Sequence, residues 1–112
     1  MRLVILCLLL TACTPDKAIL GSVNTQVNNL KFNGPYPCQH YVKEKHNQLL
    51  ARGVAEDDMA VLYGVTYGFK PHVVLEAEGY VLDNLYPDIT TKPRMAVADR
   101  IPASEVEWAA IK

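Results

Sequence analysis

Three residue types that together can carry out acyl chemistry occur in this chain, a cysteine at 38, a histidine at 72 and an aspartate at 83. A thiolate attacks carbonyl carbon, an imidazole moves the proton, and a carboxylate holds the imidazole in one tautomer. Cys38 stands in "PCQHYVKEKHNQLL", just after the turn-forming "NGPYP", where a helix is expected to begin. The free N–H groups and the dipole at a helix start favour an anion, and therefore a thiolate. The apolar stripe of the segment also turns Cys38 inward, on the face shared with Leu49. A buried cysteine is equally a small core hydrophobe, so position alone leaves both readings open.

A nucleophilic thiol needs a base, and the chain has three histidines. His40 follows Cys38 on a different face of the same helix and cannot reach the sulfur. His46 lies about 12 Å further along the axis at 1.5 Å rise per residue. Both are expected in solvent-facing or supporting positions without direct chemistry, and their spacing with Cys38 makes a poor metal site. His72 remains, opening a strand directly after Pro71. Asp83 follows in "HVVLEAEGYVLDNL", which reads as a hairpin turning near Ala77, Glu78 and Gly79. A two-residue loop at Ala77-Glu78 would pair His72 directly with Asp83, and one at Glu78-Gly79 would place them on a diagonal. Either register lets the carboxylate accept a hydrogen bond from the ring; an odd loop breaks the parity unless a bulge restores it. On spacing alone, a surface histidine beside a hairpin acid is the competing reading.

The elements that must position these residues can be read around them. Val23, Val27 and Leu30, with Ile19, have the spacing of a short amphipathic helix. Asn33-Gly34-Pro35-Tyr36-Pro37 stops it. A second helix over residues 38–52 ends at Gly53, with Cys38, Tyr41, Val42, Lys45 and Leu49 on its inner face and Leu50 at the margin of that face. "MAVLYGVTYG" is β-branched and aromatic and reads as a buried strand, followed by the hairpin. Ser104-Glu105-Val106-Glu107 fits a capping box opening a last short helix. The expected layout is helix, helix, then antiparallel sheet: an α+β domain over residues 23–112.

The chain opens "MRLVILCLLLTAC", in which one Arg precedes an apolar run too short for the roughly 20 residues that span a bilayer. The run has the length and flanks of a signal-peptide core over residues 1–12. Leu10-Thr11-Ala12-Cys13 resembles a bacterial lipobox, which implies cleavage after Ala12 and lipid on Cys13, with residues 13–22 as a tether. Thr14 after the cysteine favours an outer-membrane anchor facing the periplasm. With Cys7 removed and Cys13 lipidated, Cys38 has no disulfide partner in its own chain. Losing Arg2 leaves ten of the eleven basic residues against twelve acidic ones, and no basic patch points to nucleic acid.

The segments "VNTQVNNLKF", "CQHYVKEKHNQLLARGV" and "HVVLEAEGYVLDNLYPDI" resemble the bacterial transglutaminase-like cysteine peptidases, the family of the LapG-type periplasmic proteases. The resemblance covers about residues 22–90 and is most specific at Val81-Leu82-Asp83-Asn84-Leu85. It implies a papain-like fold and a triad of Cys38 as nucleophile, His72 as base and Asp83 as orienting acid. The sequence departs from the family where acids flank the cysteine and bind calcium: Pro37, Gln39 and His40 stand there instead. No metal and no cofactor are therefore expected, and Asp57 and Asp58 read as solvated turn residues. The loop before Cys38 is shorter than in the family and lacks its Trp-containing segment, so substrate specificity does not transfer.

Together these readings give a lipid-anchored envelope peptidase acting on a protein or peptide substrate through a thioester, with Tyr36 and Tyr41, and also Trp108, as candidate pocket residues. Two alternatives stand beside it: a degenerate member of the fold that binds an envelope protein without cutting it, and an amidase acting on peptidoglycan.

Overall fold

The computed structural model describes residues 17–111. The expected signal peptide, the expected lipidation site Cys13 and the first part of the expected tether lie outside those residues. Two helices pack on a four-stranded antiparallel sheet. Helix α1 is Lys17–Asn28 and buries Leu20, Val23, Asn24 and Val27 on one face. It begins at Lys17 rather than Val23, so the second part of the expected tether is helical. Leu20 is fully buried, and that burial outweighs the roughly 1 kcal/mol that Gly21 costs inside a helix.

Helix α2 is Pro37–Ala51, with proline at its first position, where the missing N–H costs nothing. Its end is a Schellman motif. Gly53 adopts φ 91°, Gly53 N–H donates to Leu50 O, and Val54 N–H donates to Leu49 O. Leu49 and Val54 are both buried beside this closure. Val42, Lys45, His46 and Leu49 are the buried residues of α2, whereas Leu50 is exposed.

The strands are β1 (Met59–Thr66), β2 (Pro71–Ala77), β3 (Tyr80–Leu82) and β4 (Met95–Pro102), in the order β3-β2-β1-β4. Helix α2 lies against β2 and α1 against β3. Leu20, Val23, Val27, Val42 and Leu49 meet Met59, Val61, Leu75 and Leu82 in the main core. A smaller cluster joins Leu62, Val74, Val81 and Met95.

Strand β4 was not expected from the sequence. Its segment "MAVADRIP" is flanked by Pro93 and carries exposed residues throughout most of its length. It pairs with β1 at the edge of the sheet, where a single buried end residue, Met95, suffices. The expected capping box does not form: Ala103–Glu105 and Trp108–Ala110 are separate 3₁₀ turns without side-chain caps. Trp108 gives the reason, since its indole N–H donates to Ala103 O at 2.9 Å and its ring stacks on His46. These contacts fold the tail back onto α2 instead of letting it run on as a helix.

Candidate active site

The β2–β3 hairpin decides whether the histidine and the aspartate meet. Ala77 pairs with Tyr80 and Leu75 with Leu82, so the loop is the two-residue Glu78-Gly79. Both loop residues have positive φ, 51° and 86°, as a type I′ turn requires. This even loop is the diagonal register of the two expected from sequence. His72 Nε2 and Asp83 Oδ1 are 2.8 Å apart, and both side chains are buried. Asp83 Oδ1 also accepts the Leu85 N–H at 2.9 Å.

Cys38 comes to the same place from the N-terminal end of α2. Its half-buried thiol shares a cleft with the His72 ring, close enough to that ring and to the backbone N–H groups of Val73 and Gln39 for all three to act on its ionisation. With Nε2 engaged by Asp83, the ring atom that remains for sulfur is Nδ1. The His72 bond lowers the Cys38 pKa most; burial opposes it, and the Val73 N–H lowers it further. For His72, burial alone pulls the pKa down. The hydrogen bonds to Asp83 and Cys38 outweigh that and raise it to about 9. The two shifts have opposite senses, and both favour movement of the thiol proton onto the imidazole.

A cleft of about 310 Å³ opens over this pair, lined by Tyr36, Cys38, Gln39, Tyr63, Pro71, His72 and Val73. Tyr36 is therefore at the site. Tyr41 is not among these residues: its hydroxyl donates to Leu30 O at 2.8 Å and its ring packs edge-on against Phe32. Trp108 lines a second cavity, of about 300 Å³, that shares Gln39 and Val73 with the first. His40 stacks on Phe32. His46 is buried rather than solvent-facing, and its ring nitrogens are taken by Asn47 and Glu56, the latter at 2.7 Å.

Several residues that hold the site in place were not singled out from the sequence. Asn28 Nδ2 donates to the backbone oxygens of Asp83 and Tyr86, and Asn24 Nδ2 to those of Tyr86 and Pro87. These two asparagines fasten the segment that carries Asp83 to α1. Lys45 lies behind them, its Nζ donating to Asn24 Oδ1 at 2.8 Å. The signal was present in "VNTQVNN": two asparagines spaced i, i+4, one of them on a face that is otherwise apolar.

A cysteine at the head of a helix, packed on an antiparallel strand that supplies a histidine paired to an acid, is an α+β arrangement of papain-like form. Among solved structures the chain is similar to calcium-bound LapG of Legionella pneumophila, with a TM-score of 0.66 and 20% identity. The match covers 79% of this chain and 66% of that one, so this chain spans a little under two thirds of its length. No family model matches the chain, and no curated protein does. The likeness shows a shared fold. The residues beside Cys38 do not fit a calcium ion: Pro37 and Gln39 offer no carboxylate and His40 offers nitrogen, whereas calcium takes six to eight oxygens. Among the described residues no group of three or more His, Cys, Asp or Glu could hold a metal ion.

Proposed function

We propose that this chain is a transglutaminase-like cysteine peptidase that hydrolyses a peptide or amide bond through Cys38, His72 and Asp83. The observation that carries the reading is the linked pair of contacts at His72, one to Asp83 and one to Cys38. In the first step the Cys38 thiolate attacks the amide carbon, forming a C–S bond while the carbonyl electron pair moves onto oxygen. The Cys38 N–H, in the first turn of α2 where helical N–H groups lack an i−4 acceptor, stabilises that oxyanion. Collapse of the tetrahedral intermediate breaks the C–N bond, and the His72 imidazolium gives its proton to the departing amine. Neutral His72 then takes a proton from water, which attacks the thioester and releases the acid and the Cys38 thiolate. Asp83 holds the ring in the tautomer that serves both steps. Hydrolysis is preferred to transfer onto a second amine by analogy with the fold alone.

Alkylation of Cys38 by iodoacetamide tests this reading without a known substrate. His72→Ala is expected to slow labelling at neutral pH by at least about 10²-fold, within the range for removing acid–base assistance. Asp83→Asn should give a smaller loss, and His40→Ala should leave the rate unchanged. If wild-type Cys38 reacts no faster than a free thiol and is indifferent to His72→Ala, the peptidase reading fails. The chain is then a binding module built on this fold.

The proposal extends to location. The lipobox-like Leu10-Thr11-Ala12-Cys13 supports lipid attachment at Cys13 and an outer-membrane anchor facing the periplasm. Cys13→Ser is expected to abolish incorporation of labelled palmitate and to change the extraction behaviour of the chain. Unaltered labelling in that variant would remove the anchor from the proposal.

A further inference from the structure

Strand β1 runs out from under the helices with its apolar side chains uncovered. Met59, Val61, Tyr63 and Val65 alternate onto one face of the strand. Met59 and Val61 are core residues, but Tyr63 is 48% exposed and Val65 38%. The turn that follows continues the same chemistry, with Tyr67 at 74% exposure and Phe69 at 89%. A run of large apolar side chains in water forfeits roughly 25 cal/mol for each Å² left unburied, and patches of this kind mark interaction sites.

The turn is built to hold Phe69 outward. Phe69 has φ 64°, a left-handed conformation that is costly for a bulky residue. It is held there around Thr66. The Phe69 N–H donates to Thr66 O at 2.9 Å, the Thr66 N–H to Lys70 O at 2.8 Å, and the Lys70 N–H to Thr66 Oγ1 at 3.2 Å. The strip is also continuous with the cleft, because Tyr63 is a wall of the space that holds Cys38 and His72.

We propose that Tyr63, Val65, Tyr67 and Phe69 form a docking strip for an extended apolar segment of a protein substrate, leading its backbone past Cys38. The inference rests on the reading of Cys38 as a nucleophile toward protein. Strand β1 lies between β2 and β4, so its backbone groups are already paired and recognition runs through side chains. Aromatic side chains suit this role, since they offer large contact areas with few rotors to freeze. A bilayer is the poorer occupant. At one end of the strip Tyr63 is a wall of the cleft that holds Cys38 and His72, a concave site that an extended chain can enter and a flat bilayer cannot.

The test uses the full chain carrying Cys38→Ala and two fluorescent synthetic peptides. One alternates Leu and Phe with Ser; the other has Asp in place of each Leu and Phe. The apolar peptide is expected to bind and the acidic one to fail. Tyr67→Ser combined with Phe69→Asn should weaken the apolar peptide by at least about ten-fold, as loss of central aromatic contacts does. Asn tolerates the left-handed backbone, so the double variant should melt with its parent; if it melts lower, Tyr67→Ser alone carries the comparison. Equal binding of both peptides, or undiminished binding by the variant, overturns the proposal. So does a variant that loses only its binding to phosphatidylethanolamine–phosphatidylglycerol vesicles, which would make the strip a membrane contact. Iodoacetamide labelling of the same variants with Cys38 restored separates the two readings. Fast labelling without peptide selectivity sinks the strip alone, whereas slow labelling that ignores His72 sinks the nucleophile.

Discussion

At Lys45 an ammonium group is 1% exposed in a core of modest size, with Asn24 Oδ1 as its hydrogen-bonded acceptor. Burial pulls its pKa down to about 7 from the usual 10.5, and the negative charge of Asp83 only partly opposes this. A lysine whose folded pKa lies below its unfolded one binds fewer protons when folded, so its cost to stability is full at acid pH. That cost shrinks as pH rises from about 7 toward 10.5. Lys45→Met fills the same space without charge; it leaves Asn24 Oδ1 without its donor, a cost that does not vary with pH, while removing the pH-dependent cost of the buried ammonium. The expected outcome is a melting-temperature gain over wild type that is largest near pH 6 and declines steadily above pH 7. Other titrating groups, His72 and Cys38 among them, are common to both proteins and cancel to first order in the difference. A gain that is constant across pH would mean that Lys45 titrates alike in the folded and the unfolded chain, so that burial does not lower its pKa.

Among the elements, the β1–β4 pairing is the one whose close approach depends on a residue without a side chain, Gly64. The register shifts between Tyr63 and Gly64, and a Cβ at Gly64 would lie 2.0 Å from the backbone oxygen of Ala96. Backbone cannot move aside as a flexible side chain can, so Gly64→Ala must either part the two strands or bend β1. Gly64 also pairs across with His72 on β2, so bending β1 carries the strain to the candidate base. The substitution is expected to cost about 1–3 kcal/mol, the range for forcing atoms into a packed site. Chemical denaturation measures this. Iodoacetamide labelling should slow in parallel, and a variant as stable and as reactive as wild type would show that β4 is loosely held. At the β2–β3 turn the geometry is equally strict, since an inserted residue would change the even loop and carry Asp83 away from His72.

At the scale of the whole molecule, the chain matches 66% of the length of its calcium-bound structural neighbour, and the stretch around its cysteine lacks the carboxylates that calcium needs. Stability and thiol reactivity are therefore expected to be independent of divalent cations. EGTA should leave both the melting temperature and the rate of Cys38 alkylation unchanged, and calcium in excess should restore nothing. A drop of several degrees on chelation, reversed by calcium, would reveal a ligand set elsewhere. The same scale sets the limit on the core. Two helices cover the sheet where Leu20, Leu49 and Leu75 meet, but not as far as Tyr63 and Val65, and the candidate site lies where that cover ends.

The local patterns in this sequence carried most of what lies close in the chain. Helical spacing placed α2 and its Gly53 end, because these depend on propensity and capping over a few residues, although the helix starts at Pro37, which reads in the sequence as the end of the preceding turn. The β-branched run placed β1, and the hairpin spacing let His72 and Asp83 meet on condition that the loop is even, which the Glu78-Gly79 turn fulfils. Tertiary structure decided the rest. Which of the two even loops forms rests on two left-handed residues in the Glu78-Gly79 turn, and α1 reaches back to Lys17 because Leu20 finds a core to enter. The edge strand β4 has one buried end and a solvated remainder, so it left no run of apolar residues to read. Much of the inward face of α2 was legible, Lys45 included, although His46 is buried there and Leu50 is not, and what Lys45 meets there was not legible. Its acceptor is 21 positions away on α1, and Asn28 and the Asp83 oxygen it holds are 55 apart. Partners at such separations are chosen by packing, on which periodicity along the chain has no bearing.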